Sequence, residues 1–363
     1  MNGIQDMSTL SVNRSSNIEL FRIVLMFFIV AHHYVVNSGM MSFVIDYQLS
    51  WRDLFLALYG AWGKVGINCF VLIMGYFMCK SQITVHKFLK LVFEVLFYNI
   101  VLYASFAITH YHPFAWKEFL RIFMPIGSIA DGFVSCFLVY YLLIPFLNTL
   151  VQNLSHKQHL ILISICMFFF VVCDHLPNFK YIYNYVGWFC VLHIIAAYIR
   201  FYEDKISKLL KGKDNVVVAI AFMGAVCSIL FQLLGAQYGF AHGWPYKWVI
   251  DCNAIFAVIA SVSLFWYFIH LNVPQSKIIN TIASSTFGIY LLHSSGATMR
   301  QWLWQDMFRN VEWYSSQYLL IHAFGSVIII FVIGIILDRI RVSVFEKPTF
   351  KIIDRYLLKY GIS

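Results

Sequence analysis

The chain has 363 residues, of which 61% are hydrophobic and only 12% are charged. Ordinary soluble domains contain about 25% charged residues, so this composition excludes a soluble protein and indicates an integral membrane protein with most of its length in lipid. The formal net charge is +9, but no other feature supports nucleic-acid binding, and we expect no nucleic-acid partner.

Ten apolar windows are long enough to cross about 30 Å of hydrocarbon. No window is followed by a long polar stretch, so we predict one domain over residues 1–363, an all-α polytopic bundle of about ten transmembrane helices with a tail at about 339–363. The second window contains Gly60, Gly63 and Gly66, and its first half is either part of the span or a separate interfacial or re-entrant piece. The windows are 17–36, 55–79, 88–109, 132–151, 159–174, 182–200, 215–235, 248–271, 279–296 and 317–338.

The first window contains the ionisable residues Glu19, Arg22, His32 and His33, of which Arg22 and His33 lie eleven residues apart. Such groups cost about 2.5–3.5 kcal/mol each at membrane depth, so they are functional candidates. Eleven residues correspond to about three helical turns and roughly 16 Å of axis, so the two side chains share one helix face. Alternatively, Arg22 is a snorkelling anchor and His33 a helix-packing residue.

Cysteine and histidine spacing gives no metal site. None of the eight cysteines forms a Cys-x-x-Cys pair, so neither a disulfide framework nor a thiolate metal site is indicated. The histidine pairs His110-x-His112 and His156-x-x-His159 are too short and isolated for a metal site. We therefore expect no metal.

The distribution of lysine and arginine predicts the orientation in the membrane. The basic clusters follow the second, sixth and tenth windows, and by the positive-inside rule these are cytoplasmic, which places both termini inside. The net positive charge then mainly reflects the orientation of the protein in the membrane, and it attracts anionic lipid. The basic residues of the opposite loops are Arg52, Lys117, Arg121, Lys180, Lys247, Arg300 and Arg309, with Lys64 ambiguous.

In this orientation Arg22 lies towards the cytoplasmic leaflet and His33 towards the outer one. A histidine can act as a general base near neutral pH, and an arginine can hold an anion, phosphate above all. Phosphate at the inner side and a base about 16 Å further out would suit a long phosphorylated acyl carrier such as coenzyme A.

Five segments resemble the membrane-bound acyltransferase-three family, and they occur in the family's order over nearly the whole chain. The first is the family's Arg-x10-His motif, met by Arg22 and His33. The second is similar to the family's G-x-V-x-V-x-x-F-F-x-x-S-G-Y/F block, and the third to its L-Y-L-L-x-P-F-L-N helix. The last is similar to its S-x-x-F-G-I-Y-L-x-H segment. After the first motif, the segments are 63–77, 135–148, 187–189 with 197–200, and 284–293.

The resemblance implies that His33 is the catalytic base or acyl-accepting group, and that Arg22 assists catalysis and binds the donor. Relatives often carry an Arg-x-x-Arg at the start of the third helix, where this chain has Lys87 and Lys90. These lysines keep the charge but lose the planar fork of arginine. They are therefore either donor-phosphate ligands or markers of the inner interface.

His293, in the last matching segment, is expected at the level of His33, where it would assist the base or bind an acceptor sugar. The alternative for His293 is a polar packing contact in a serine-rich helix. The acidic pair that some polysaccharide-modifying relatives carry is absent from this chain, which leaves the acceptor class open. The predicted substrate-binding residues are His32, Asn68, Tyr76 and His293.

The function that the resemblance implies is O-acyl transfer. The donor would be cytoplasmic acyl-CoA, commonly acetyl-CoA, and the acceptor a hydroxyl of a cell-surface carbohydrate or its lipid-linked precursor. The protein would then be a multi-pass component of the bacterial cytoplasmic (inner) membrane. The alternatives are a transporter or flippase of lipid-linked saccharides, which would predict internal repeats and paired broken helices, and a glycan polymerase.

Overall fold

The computed structural model describes residues 15–45, 49–127, 132–176, 183–240 and 247–359. These residues form helices and no strand, which confirms the predicted all-α class. The α-helices are α1 Ser16–Val36, α2 Met41–Ile45, α3 Trp51–Gly60, α4 Gly63–Met78, α5 Val85–Ile108, α6 Trp116–Ile122, α7 Phe133–Gln152, α8 His156–Met167, α9 Tyr185–Phe201, α10 Glu203–Leu210, α11 Asp214–Gln237, α12 Ile255–His270, α13 Lys277–Ala283, α14 Thr286–Ser294, α15 Gly296–Gln301, α16 Leu319–Ile340 and α17 Lys347–Lys359.

In the described residues, seven helical segments are long and apolar enough to cross a membrane. An eighth is added if α9 and α10, which meet at an angle of 79°, count as one span. Window 248–271 is a helix only from Ile255, and window 279–296 is divided between α13 and α14 at Ser284–Ser285. The protein is therefore a multi-pass membrane protein, but the predicted number of about ten spans is not confirmed.

The glycine-rich second window forms one span of 28 residues, Trp51–Met78, with a break between α3 and α4. The predicted tail begins inside a helix, since α16 continues through a π-helical segment, Arg341–Glu346, into α17. Residues 1–14, 360–363 and Lys180 lie outside the described residues, and the side of each terminus stays a prediction.

The helix α1 lies inside the bundle and contacts α3, α4, α12, α13, α14 and α16. Its close approach to α4 depends on glycine, because a Cβ atom at Gly63 would overlap the His32 ring and one at Gly66 would lie 3.0 Å from the Leu25 carbonyl oxygen. Small residues allow such approaches between membrane helices. The first glycine of the second motif therefore fixes the position of the turn of α1 that includes His33.

Helices on the outside of the bundle present apolar side chains outward. In the most apolar window of Trp51–Met78, 78% of the residues are buried, against 11% in Val85–Ile108. On α16 the outward residues include Ile321, Ile328 and Ile336. An exposed apolar surface of this extent is a liability in water, whereas a bilayer covers it.

Candidate functional site

His33 lies near the C-terminal end of α1 and lines a cavity of about 970 Å³. The cavity is lined by residues of α1, α4, α5, α6, α7, α9, α14 and α15 and of the segments before and after α6. The imidazole of His33 is partly exposed there, while its neighbour His32 is buried. Of these two neighbouring histidines, His33, the histidine of the Arg-x10-His motif, is therefore the one whose side chain can contact a ligand in the cavity.

The imidazoles of His33 and His293 are hydrogen-bonded to each other, with 2.9 Å between Nδ1 of His33 and Nε2 of His293. On the far side, Nδ1 of His293 lies 2.6 Å from the carbonyl oxygen of Ile289. A carbonyl only accepts, so Nδ1 of His293 must carry the proton. With both rings neutral, Nε2 of His293 accepts from Nδ1 of His33, and Nε2 of His33 is left as the proton acceptor.

Aromatic side chains enclose this pair of histidines. The ring of Tyr290 is 6.4 Å from that of His33, and the buried ring of Trp304 is 6.4 Å from that of His293. His293 is itself fully buried, so its orientation is fixed by packing. In the described part of the chain, no group of three His, Cys, Asp or Glu side chains could hold a metal ion.

Arg22 is separated from His33 by three turns of α1, about 16 Å, and does not line the cavity. One of its guanidinium nitrogens is 3.7 Å from the carboxylate of Glu19, and its side chain is 32% exposed. The N-terminal end of α1 packs on the end of α12, where Phe21 stacks on Phe268. The cation Arg22, near the N-terminal end of α1, and the base His33, near its C-terminal end, therefore lie at two separate places in the bundle.

The two lysines of α5 lie near its N-terminal end, before the stretch from Val95 to Phe106 that contributes to the cavity wall. Lys90 is 2.7 Å from a carboxylate oxygen of Glu346. Lys87 is exposed. Their donor-binding role stays a prediction.

Two of the predicted substrate-binding residues make side-chain hydrogen bonds to the protein around them. Nδ1 of His32 lies 2.5 Å from the carbonyl oxygen of Gly60. The amide of Asn68 donates to the Cys252 carbonyl (2.7 Å) and accepts from the Trp188 indole (2.9 Å), and Asn68 is fully buried. These contacts are those of packing residues, and substrate binding by either residue stays a prediction.

Tyr76 lies at the C-terminal end of α4, whereas the residues of α4 that line the cavity, Lys64 and Ile67, lie near its N-terminal end. Its hydroxyl donates to the Glu203 carboxylate (2.9 Å) and accepts from the Arg200 guanidinium (2.7 Å). Of the four predicted substrate-binding residues, His293 is the one hydrogen-bonded to His33, while the ring of His32 lies 5.7 Å from that of His33.

Sequence reasoning missed the cations of the cavity. Lys64, Arg121 and Arg300 line it together with His33, but in the sequence Arg121 and Arg300 are only basic residues of the outer loops, and the side of Lys64 is ambiguous. One sequence feature could have identified the two arginines: they are basic residues on the predicted outer side, where the positive-inside rule leads us to expect few. The convergence of the three cations depends on the positions of α4, α6 and α15 around the cavity, which no spacing in the sequence shows.

A family model described as an acyltransferase domain matches residues 15–339. No curated protein and no solved structure matches the chain. The match begins before α1 and ends at the last turn of α16, so it includes both ends of α1, the second motif and the His293 segment. The chain therefore belongs to the acyltransferase-three family of membrane acyltransferases.

Proposed function

We propose that this acyltransferase is an O-acyltransferase that moves an acyl group, most often acetyl, from cytoplasmic acyl-CoA to a hydroxyl of an envelope saccharide or its lipid-linked precursor. The observation that supports this proposal most directly is the hydrogen-bonded series from Ile289 through His293 to His33 at the wall of a cavity. Family membership favours acyl transfer over the transporter or flippase alternative.

The series of hydrogen bonds suits general-base catalysis. In direct transfer, Nε2 of His33 takes the proton of the acceptor hydroxyl as the oxygen attacks the thioester carbonyl carbon. The C–S bond then breaks, and the leaving thiolate takes up the proton to form free coenzyme A. A positioned base of this kind typically contributes about 10²–10⁴ in rate, and His293 holds the ring of His33 in the required tautomer.

Cations near the base support the same chemistry. Lys64 and Arg300 both line the cavity that His33 lines. Acyl transfer develops negative charge on the carbonyl oxygen, which fixed positive groups in a water-poor site stabilise. The cavity therefore holds both a proton acceptor and stabilising charge.

Donor binding is assigned to the opposite end of the bundle. Arg22 at the N-terminal end of α1 would contact the phosphates of coenzyme A from the cytoplasm, with Lys87 and Lys90 as further cations. The pantetheine arm would then extend along α1 towards His33. This arrangement requires that both termini are cytoplasmic, as the lysine and arginine distribution predicts.

The proposal is tested by mass spectrometry of envelope glycans from cells that produce the wild-type protein, His33→Ala or His156→Ala at equal abundance. His156 is the matched control, because it lies on α8, contacts Tyr198 and does not line the cavity. We expect glycan acylation in the wild type and in His156→Ala and its loss in His33→Ala. Full acylation by His33→Ala would contradict the assignment of the base.

A further inference from the structure

The walls of the His33 cavity have an excess of positive charge. Lys64, Arg121 and Arg300 line it, whereas Glu118 is the one carboxylate among its described lining residues. His112, also in the wall, lies 3.7 Å from that carboxylate. A ligand in the cavity therefore meets more positive than negative side-chain charge.

In the part of the chain that the structure describes, the three cations form no close ion pair. Within the described ranges, no carboxylate lies within 4.0 Å of Lys64, Arg121 or Arg300. The ammonium group of Lys64 donates to a neutral partner, the Tyr185 hydroxyl, at 2.6 Å. By contrast, the guanidinium of Arg341, elsewhere in the bundle, contacts three carboxylates.

Uncompensated cations in a partly enclosed cleft form an anion-binding field. A cleft with low-dielectric walls focuses the potential of one sign and raises the local concentration of the oppositely charged ligand. Arg121 is exposed and Arg300 is half-buried, so the charge extends from the accessible part of the cavity towards His33. The two arginines also lie at the end of the bundle that has few basic residues, so the positive-inside rule does not account for their positive charge there.

We propose that the cavity selects an acidic acceptor, a saccharide that bears a carboxylate or phosphate group next to the hydroxyl to be acylated. This inference rests on the proposed function and adds the acceptor class to it. Arg300 holds the acidic group close to His33, and Arg121 attracts it at the accessible side. The planar guanidinium groups suit both carboxylate and phosphate, which they can bind through two parallel hydrogen bonds.

Binding is measured on the full-length protein in lipid nanodiscs, so that the test does not depend on turnover. The probes are a disaccharide with one uronic acid residue, the same disaccharide after reduction of its carboxyl group to an alcohol, and the neutral disaccharide carrying one phosphate. We expect both acidic probes to bind about tenfold more tightly than the reduced one, the factor that one charge-assisted hydrogen bond contributes.

The variants are Arg300→Gln, Arg121→Gln and Lys117→Gln. Lys117 is the matched control, because it lies on α6 with Arg121 but does not line the cavity. We expect Arg300→Gln to abolish the preference for the acidic probes, Arg121→Gln to weaken it, and Lys117→Gln to leave it unchanged. Thermal unfolding of each variant shows whether the protein is folded.

Equal binding of the acidic and reduced probes by the wild type would overturn the inference, as would an unchanged preference in a folded Arg300→Gln. Competitive displacement of the acidic probes by coenzyme A would also overturn it, because the cations would then belong to the donor site. Failure of the proposed function has a different signature, since acetyl transfer from acetyl-CoA would be absent while the binding preference remained.

Discussion

Replacement of His293 by leucine removes the hydrogen-bond acceptor of His33 and leaves a side chain of similar bulk. The lost contact is 2.9 Å long and one of its partners is fully buried. A buried group left without its partner costs about 1–3 kcal/mol, which corresponds to a rate decrease of roughly 5–150-fold. We therefore expect kcat/KM for acetyl transfer to fall by about that factor in His293→Leu.

His293→Gln is the conservative variant for this measurement, because its amide oxygen can accept from Nδ1 of His33 near the position of the lost ring nitrogen. We expect its kcat/KM to recover to within about tenfold of the wild type, as one restored hydrogen bond allows. The assay is acetyl-CoA turnover by purified protein, with thermal unfolding of each variant as the folding control. Wild-type activity in His293→Leu, or equal activities of the two variants when both are folded, would refute the positioning role.

Three further predictions concern the donor, the packing and the topology. Arg22→Lys should raise the apparent KM for acyl-CoA severalfold and leave acceptor affinity nearly unchanged, because an ammonium group cannot form the two parallel hydrogen bonds of a guanidinium. Unchanged donor kinetics together with a lower protein yield would instead show that Arg22 is a structural anchor. Gly288→Ala should lower the free energy of unfolding by about 1–3 kcal/mol, since its Cβ would lie 2.6 Å from a buried carboxylate oxygen, whereas Gly325→Ala, with nothing within 4 Å, should have little effect. Single cysteines at Ser207 and Gln237, in a background without accessible native cysteines, should react with an impermeant thiol reagent from opposite sides of the membrane. Labelling of Ser207→Cys in intact cells would show that the orientation is the reverse of the predicted one.

The sequence was sufficient for the features that depend on local pattern. Hydropathy identified the helical class, and the Arg-x10-His spacing placed Arg22 and His33 on one helix. The order of the motifs led to the family that the match over residues 15–339 shows. These properties are local because helix period and side-chain polarity determine them, whatever the partners of each helix.

Tertiary contacts explain what the sequence left open. The amide of Asn68 is polar and lies within a family motif, yet its partners come from Cys252 and Trp188, more than 100 positions further along the chain. Hydropathy likewise does not show that window 279–296 breaks at Ser284–Ser285, because the mean over a window hides a two-residue interruption. The convergence of the cavity cations is likewise a tertiary property, since they come from three separate helices, α4, α6 and α15.

Transfer across the bilayer is the central claim, and oriented proteoliposomes test it directly. Radiolabelled acetyl-CoA is supplied only on the face that bears Arg22, and the saccharide acceptor is supplied only on the face that bears the His33 cavity. Transfer across the bilayer predicts labelled saccharide on the acceptor side. Its amount should depend on His33 and should not increase when the donor is moved to that side. Labelled saccharide formed only when donor and acceptor share one face would contradict it.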